Sequence, residues 1–178
     1  MLFRAATATL VAIVLTAATP AATAHAATVS RPAATAKPAT VSRHAAAAVA
    51  AITRALDLFN KGDSAAFFAA HTADALIIDE FAPYRWEGLH AAEKWAADYD
   101  RDARARGITN GHVDYGTPIR AEMAEGRAYI VLPTVYRFKQ KGVMMREAGT
   151  MTFVMAQLGE GWKISSWTWS GPPPSRGR

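Results

Sequence analysis

The sequence predicts an α+β domain, with three helices and a first strand followed by a four-strand antiparallel meander. Two observations carry this reading. Apolar residues recur at helical spacing up to about residue 106 and follow strand periodicity after Gly107. The second half is also punctuated by Glu125-Gly126, Lys141-Gly142 and Gly159-Glu160-Gly161, the composition of hairpin turns. Helices gathered ahead of an antiparallel run pack on one face of the sheet it forms.

The elements follow in order. Residues 1–26 have the pattern of a secretory signal: Arg4, an apolar run over 5–18, Pro20, and Ala24-His25-Ala26 as a cleavage site. That run is too short for a spanning helix, which needs about 20 residues. An exported chain, periplasmic or secreted and with no membrane span after cleavage, is expected. Residues 27–43 are an Ala/Thr/Pro linker with too few large apolar groups to fold. The folded domain is expected over 44–171, with a flexible tail over 172–178.

Val49, Ile52, Leu56 and Phe59 form one helical stripe. Asn60-Lys61-Gly62-Asp63 ends it, with Gly62 suited to a left-handed cap and Asp63 to the N-cap of the next helix. The second helix, 64–71, carries Phe67 and Phe68 and takes in His71. A strand over 75–80 comes next, then an irregular aromatic stretch over 81–88. A third helix over 89–106 places Leu89, Ala92, Trp95, Ala96, Tyr99 and Ala103 on one face. Strands are predicted over 112–123, 127–139, 143–158 and 162–170, and Pro172-Pro173-Pro174 stops the last.

Charge excludes one class of partner. The chain has 20 Lys and Arg against 15 Asp and Glu, a net charge of +5. Arg4, Arg31, Lys37, Arg43, Arg176 and Arg178 lie outside the folded domain, however, and all the acids lie within it. A nucleic-acid groove needs clustered positive charge on the folded surface, and the domain is close to neutral. There is no cysteine, so disulfides and thiolate chemistry are excluded.

The order of Asn60-x-Gly62-Asp63, Asp74-Ala75, Trp86-x-Gly88 and Gly161-Trp162-Lys163-Ile164 resembles the nuclear transport factor two-like superfamily. Within it, the chain is most similar to SnoaL-like and ketosteroid-isomerase-like domains. The resemblance covers about residues 45–170. It implies a curved sheet wrapped around three helices, a cystatin-like cone with an apolar cavity at its open end, and commonly a dimer. It implies no single activity, because one fold hosts many.

The resemblance also places Asp79 where ketosteroid isomerases keep their proton-shuttling carboxylate. The residues support that independently. A carboxylate at the end of an apolar strand, beside Phe81, Tyr84 and Trp86, is desolvated and its pKa rises toward general-base range. Strand alternation turns the adjacent Glu80 to the opposite side. Ketosteroid isomerases also use a tyrosine and a protonated aspartate as enolate donors. Their positions correspond here to Ala55 and to Thr152 or Phe153, so Tyr129, Tyr136 or Trp167 would have to substitute.

Trp95, Tyr99 and Trp167, with Phe67, Tyr84 and Trp86, exceed what a small core needs and suggest an aromatic-lined cavity for an apolar or flat ligand. His112-x-Asp114 sets an imidazole and a carboxylate on one strand face, as a base with its orienting acid or as two metal ligands. With no third ligand nearby, neither a metal nor another cofactor is expected. His90-x-x-Glu93 reads as a solvated helix face. Arg137 and Arg146 with Glu147 read as a cross-strand ion pair. Over 150–156 neither strand face is strongly polar. The face with Met151, Phe153 and Met155 is expected to meet the helices, and the smaller one to pack on a second copy of the chain.

Three functions fit these features. The first is an exported module binding a small apolar or aromatic molecule. The second is a proton-transfer enzyme, of isomerase, cyclase or hydratase type, with Asp79 as general base. The third is a structural dimer without ligand.

Overall fold

A computed structural model describes residues 43–177. The expected signal lies outside the described residues, as does the expected linker apart from Arg43, which opens α1. The elements are α1 (Arg43–Lys61), α2 (Ser64–Ala69), β1 (His71–Ile78), β2 (Arg85–Glu87), α3 (Ala91–Arg106), β3 (Ile108–Tyr115), β4 (Arg120–Ala124), β5 (Arg127–Gln140), β6 (Val143–Leu158), β7 (Gly161–Ser170) and β8 (Ser175–Arg176).

One open, curved sheet runs in the order β2-β1-β7-β6-β5-β3. β4 also pairs with β5 and β8 with β6, because β5 and β6 are long enough for one edge of each to take two partners in succession. The sheet is mixed, which corrects the antiparallel expectation: β1 runs parallel to β7. A hairpin would force antiparallel pairing, but the chain leaves β1 through β2 and α3 before the meander begins, so nothing imposes that direction. The strand expected over 112–123 is two strands, β3 and β4. Gly116-Thr117-Pro118 separates them, and Pro118 has no N–H to give the ladder.

The turn between α1 and α2 forms as Asn60-Lys61-Gly62-Asp63 suggests. Gly62 adopts a φ of 73°, its N–H donates to Phe59 O (2.9 Å), and Asp63 N–H donates to Leu58 O (3.0 Å). This is a Schellman cap, closing two carbonyls that the helix leaves open. Asp63 Oδ1 then accepts from Ala66 N–H at 3.2 Å and caps α2. Asn60 has a separate task. Its side-chain amide donates to Val113 O (3.0 Å) and accepts from Val113 N–H (2.8 Å), pinning the β3 edge to the end of α1. α3 starts at Ala91, two residues later than expected, because His90 sits in the left-handed region (φ 62°) and Leu89 is exposed.

The core lies between the helices and the concave sheet face. Ala48, Ile52, Ala55 and Leu56 of α1 and Ala91, Ala92 and Trp95 of α3 meet Ile130 and Leu132 of β5. Met151, Phe153 and Met155 of β6 point the same way, as their alternation predicts. Alanines on the buried faces let the helices approach the sheet closely.

Candidate functional site

Toward one end of this core the helices and sheet enclose a cavity of about 90 Å3. That is several times what one water needs and smaller than the roughly 150 Å3 that admits benzene in an engineered protein core. α1 contributes Ala55, Leu56 and Phe59, α3 contributes Trp95, Tyr99, Asp102 and Arg106, and the β1–β2 turn contributes Asp79, Glu80 and Phe81. The sheet supplies Thr134, Tyr136, Phe138, Glu147, Met151, Phe153, Trp167 and Trp169.

Asp79 follows the last residue of β1, where the strand gives way to a turn. Its Oδ2 accepts from Trp95 Nε1–H at 2.9 Å and its Oδ1 from Glu80 N–H at 2.8 Å. Burial pushes its pKa up to about 6, and those two hydrogen bonds oppose the rise. Desolvation dominates, so Asp79 takes and releases a proton near neutrality. Trp95 is held in place by stacking on Tyr99 (5.4 Å, 20°) and by the edge of Trp167 (5.2 Å, 83°). The Trp167 indole N–H donates to His71 Nε2 (3.2 Å), and His71 Nδ1 lies 3.0 Å from Phe67 O. A neutral ring protonated on Nδ1 serves both contacts, and burial lowers the pKa of His71 accordingly. His71 opens β1 rather than closing α2.

Tyr99 and Tyr136 meet hydroxyl to hydroxyl at 2.5 Å. One donates to the other, and the acceptor keeps its own O–H free for a ligand oxygen. Burial raises both phenols, which stay neutral donors. Gly111 makes the pair possible: a Cβ there would stand 2.5 Å from the Tyr136 hydroxyl oxygen and 2.8 Å from that of Tyr99.

Glu147 does not form the expected ion pair. In the β5–β6 register Arg137 faces Arg146 while Glu147 faces Tyr136. Arg137 pairs instead with Asp114. Glu147 is almost wholly buried on the concave face, where burial first, and then the charge and hydrogen bond of Glu80, push it up to about 7. Its Oε1 and the Oγ1 of Thr134 have no hydrogen-bond partner. Glu80 also lines the cavity, contrary to the expected alternation, because β1 has ended before it and its backbone is already in the turn.

Of the residues singled out in the sequence, Asp79, Trp95, Tyr99, Tyr136 and Trp167 are brought together around the cavity. Four are not. Trp86 is buried behind Phe81, with its N–H on Asp98 Oδ2 (2.8 Å), and belongs to the core. Tyr84 stands 60% exposed in the turn before β2. His112 and Asp114 share a strand face as expected, but it is the one opposite Val113, which lines the cavity. They lie 3.5 Å apart in a separate open depression with Asp57, Lys61 and Tyr115. Of the three possible substitute donors, Tyr129 lies on the outer face and Trp167 has given its N–H to His71, which leaves Tyr136. Sequence reasoning missed Glu147 and Thr134 as cavity residues. Glu147 is in phase with Met151, Phe153 and Met155, and a carboxylate in phase with a core stripe was the available signal.

No protein-family profile and no curated protein sequence matches the chain. Solved structures do. A ketosteroid isomerase-like protein from Erwinia carotovora atroseptica SCRI1043 superposes with a TM-score of 0.59 at 19% identity, over 75% of this chain and 99% of that one. Hexachlorocyclohexane dehydrochlorinase LinA-type3 from Novosphingobium barchaimii LL02 gives 0.62 at 13% identity, over 74% and 88%. A nuclear transport factor two-like protein with a cystatin-like fold from Novosphingobium aromaticivorans gives 0.56 at 16% identity, over 71% and 80%. At such identities the likeness shows the fold alone: residues 43–177 share the cystatin-like fold of these structures, three helices on an open, curved mixed sheet.

Proposed function

We propose that the chain binds a compact, largely apolar molecule in this cavity and moves a proton on it, with Asp79 as the base. The observation that carries the reading is the state of Asp79: a carboxylate lining an aromatic cavity, oriented by Trp95, with a pKa lifted to about 6. In this reading Asp79 takes a proton from a carbon next to a carbonyl, and the free O–H of the Tyr99–Tyr136 pair steadies the developing enolate oxygen. Isomerisation, aldol-type cyclisation and β-elimination of water each have a form that begins with such a step. The superposing structures include a ketosteroid isomerase-like protein and a hexachlorocyclohexane dehydrochlorinase, and they support the reading only as neighbours in fold. The size of the cavity favours small-ring or short-chain substrates over steroids.

Export, and pairing of two copies through the outer sheet face around Val131, Val135, Thr152 and Val154, belong to the same proposal. That face is half-buried and largely uncharged.

The test is solvent deuterium exchange into the α-carbons of cyclopentanone, followed by proton NMR. Wild type should accelerate exchange with an apparent pKa near 6, and Asp79→Asn should reduce the rate about a hundredfold or more. Equal rates for the two proteins would refute Asp79 as the base.

A further inference from the structure

The charge around the cavity is unbalanced. Asp79, Glu80, Asp102 and Glu147 all line it, and among the described residues Arg106 is the one basic side chain that does. Arg106 is already engaged, donating to Asp102 Oδ2 at 3.1 Å. Three carboxyl groups therefore face the cavity without a cationic partner of their own. Buried carboxylates of this kind either hold protons, as Glu147 does below about 7 beside Glu80, or take up a counter-charge.

Two orphaned polar atoms say where it would enter. Thr134 and Glu147 are each 3% exposed, and Thr134 Oγ1 and Glu147 Oε1 have no partner. Thr134 pairs with Gly149 across the β5–β6 ladder and Tyr136 with Glu147, so Thr134 and Glu147 are diagonal neighbours on one face. Their backbones stand roughly 7 Å apart, a gap that one hydrogen-bonding group can bridge. A buried acceptor left open costs about 1–3 kcal/mol, which a ligand donor would recover. Tyr136, opposite Glu147 in the ladder, stacks on Phe138 (4.8 Å, 24°), and the Trp95–Tyr99 stack lines the same cavity. Aromatic faces attract ammonium groups and reinforce carboxylates in holding them.

We propose that this end of the cavity recognises a small organic cation, a primary or secondary ammonium whose N–H groups are accepted by Glu147 Oε1 and Thr134 Oγ1. The inference rests on the cavity being a ligand site, as proposed above, and names the class of ligand: a compact amine with an apolar body. Its binding is pH-dependent with a definite sign. The groups facing Glu147 are Asp79 and Glu80 from the β1–β2 turn, Tyr99, Asp102 and Arg106 from α3, and Tyr136 from β5. α1 and β7 present only apolar and aromatic side chains to the cavity. Below about 7 Glu147 holds a proton, which the incoming cation must displace to solvent, so amine affinity falls as pH falls.

The experiment titrates the chain at pH 8 with isobutylammonium chloride, isobutanol and sodium isobutyrate, following the fluorescence of Trp95, Trp167 and Trp169, which line the cavity. The amine should bind about tenfold or more tightly than the alcohol, and the carboxylate should not bind. Amine affinity should drop about tenfold between pH 8 and pH 5. Glu147→Gln should bring the amine down to the level of the alcohol, and Thr134→Val, which keeps the shape, should weaken the amine about threefold or more. Equal affinity for amine and alcohol overturns the cation proposal and leaves the ligand cavity standing. Binding by none of the three overturns both. Amine binding by a wild-type protein that exchanges no deuterium into cyclopentanone upholds the cation site and removes the proton-transfer reading alone.

Discussion

Replacing Asp79 with asparagine tests the electrostatics of the cavity without any knowledge of its ligand. An ordinary aspartate titrates near 3.8, as it does in the unfolded chain, whereas folded Asp79 titrates near 6 because burial disfavours its charge. Between those values the folded state binds more protons than the unfolded state, so stability is highest below about 4 and declines as pH rises to about 6. Ionised Asp79 then costs the folded domain about 3 kcal/mol at pH 8. Asparagine removes that cost. It also offers one carbonyl oxygen where the carboxylate had two, so either Trp95 Nε1–H or Glu80 N–H loses its acceptor, at about 1–2 kcal/mol. That second cost is independent of pH. The net expectation is a variant about 1–2 kcal/mol more stable than wild type at pH 8 and less stable at pH 4. Urea unfolding followed by tryptophan fluorescence reads this directly. For an m-value near about 1.5 kcal/mol/M, the difference between the two midpoints changes by about 2 M urea across the pH range. His71 pulls the other way, because burial lowers its pKa and stability is lost as pH falls below about 6.5. It is present in both proteins and cancels in the difference. Wild-type and variant stabilities that run parallel from pH 4 to 8 would refute the desolvation of Asp79.

Two further substitutions test how the scaffold supports the site. Gly111→Ala places a methyl group 2.5 Å from the Tyr136 hydroxyl oxygen and 2.8 Å from that of Tyr99, so the phenols must part. Deuterium exchange into cyclopentanone should fall about tenfold or more, and an unchanged rate would exclude the phenol pair as donor. Asn60→Ala removes both hydrogen bonds to the Val113 backbone. Urea unfolding should show a loss of about 2 kcal/mol, and a loss below about 0.5 kcal/mol would mean that β3 is held by its pairing with β5 alone.

Much of the fold was legible because its signals are local. A stripe at intervals of three and four, a glycine that must turn left-handed at Gly62, and hairpin glycines at 126, 142 and 159 each act within a few residues. The parallel β1–β7 pair was not legible, since its partners stand some ninety residues apart and no turn between them dictates direction. The split of β3 from β4 was marked by Pro118, but a single missing N–H is a weak signal inside a long polar strand. The site was half legible for the same reason. Asp79, Trp95, Tyr99, Tyr136 and Trp167 follow from element and face. Tyr84 and Trp86 were assigned by proximity in sequence to Asp79, yet the turn sends one to solvent and the other behind Phe81. For His112 and Asp114 the period gave a shared face and left its side open. Period two fixes which residues travel together and leaves open which side they occupy, until a core residue such as Val113 anchors the phase.

The same anchoring explains why Glu147 matters more than its neighbours in sequence. Evenly spaced inner positions of β6 run Glu147, Gly149, Met151, Phe153 and Met155, and the last three belong to a core that needs no charge. Gly149 is forced by Trp169, whose ring a Cβ at that position would meet at 2.7 Å. A methionine or leucine at 147 would continue the stripe and spare the fold a buried carboxyl group, because a well-packed apolar replacement for a buried charge is often as stable or more so. The fold therefore gains nothing from Glu147 in isolation. Its presence beside Thr134, both with unmet hydrogen-bonding capacity, makes sense when a donor arrives from outside the chain. A cavity whose acids lower stability at neutral pH, and whose aromatic walls hold them in place, has the physical character of a site shaped for a guest.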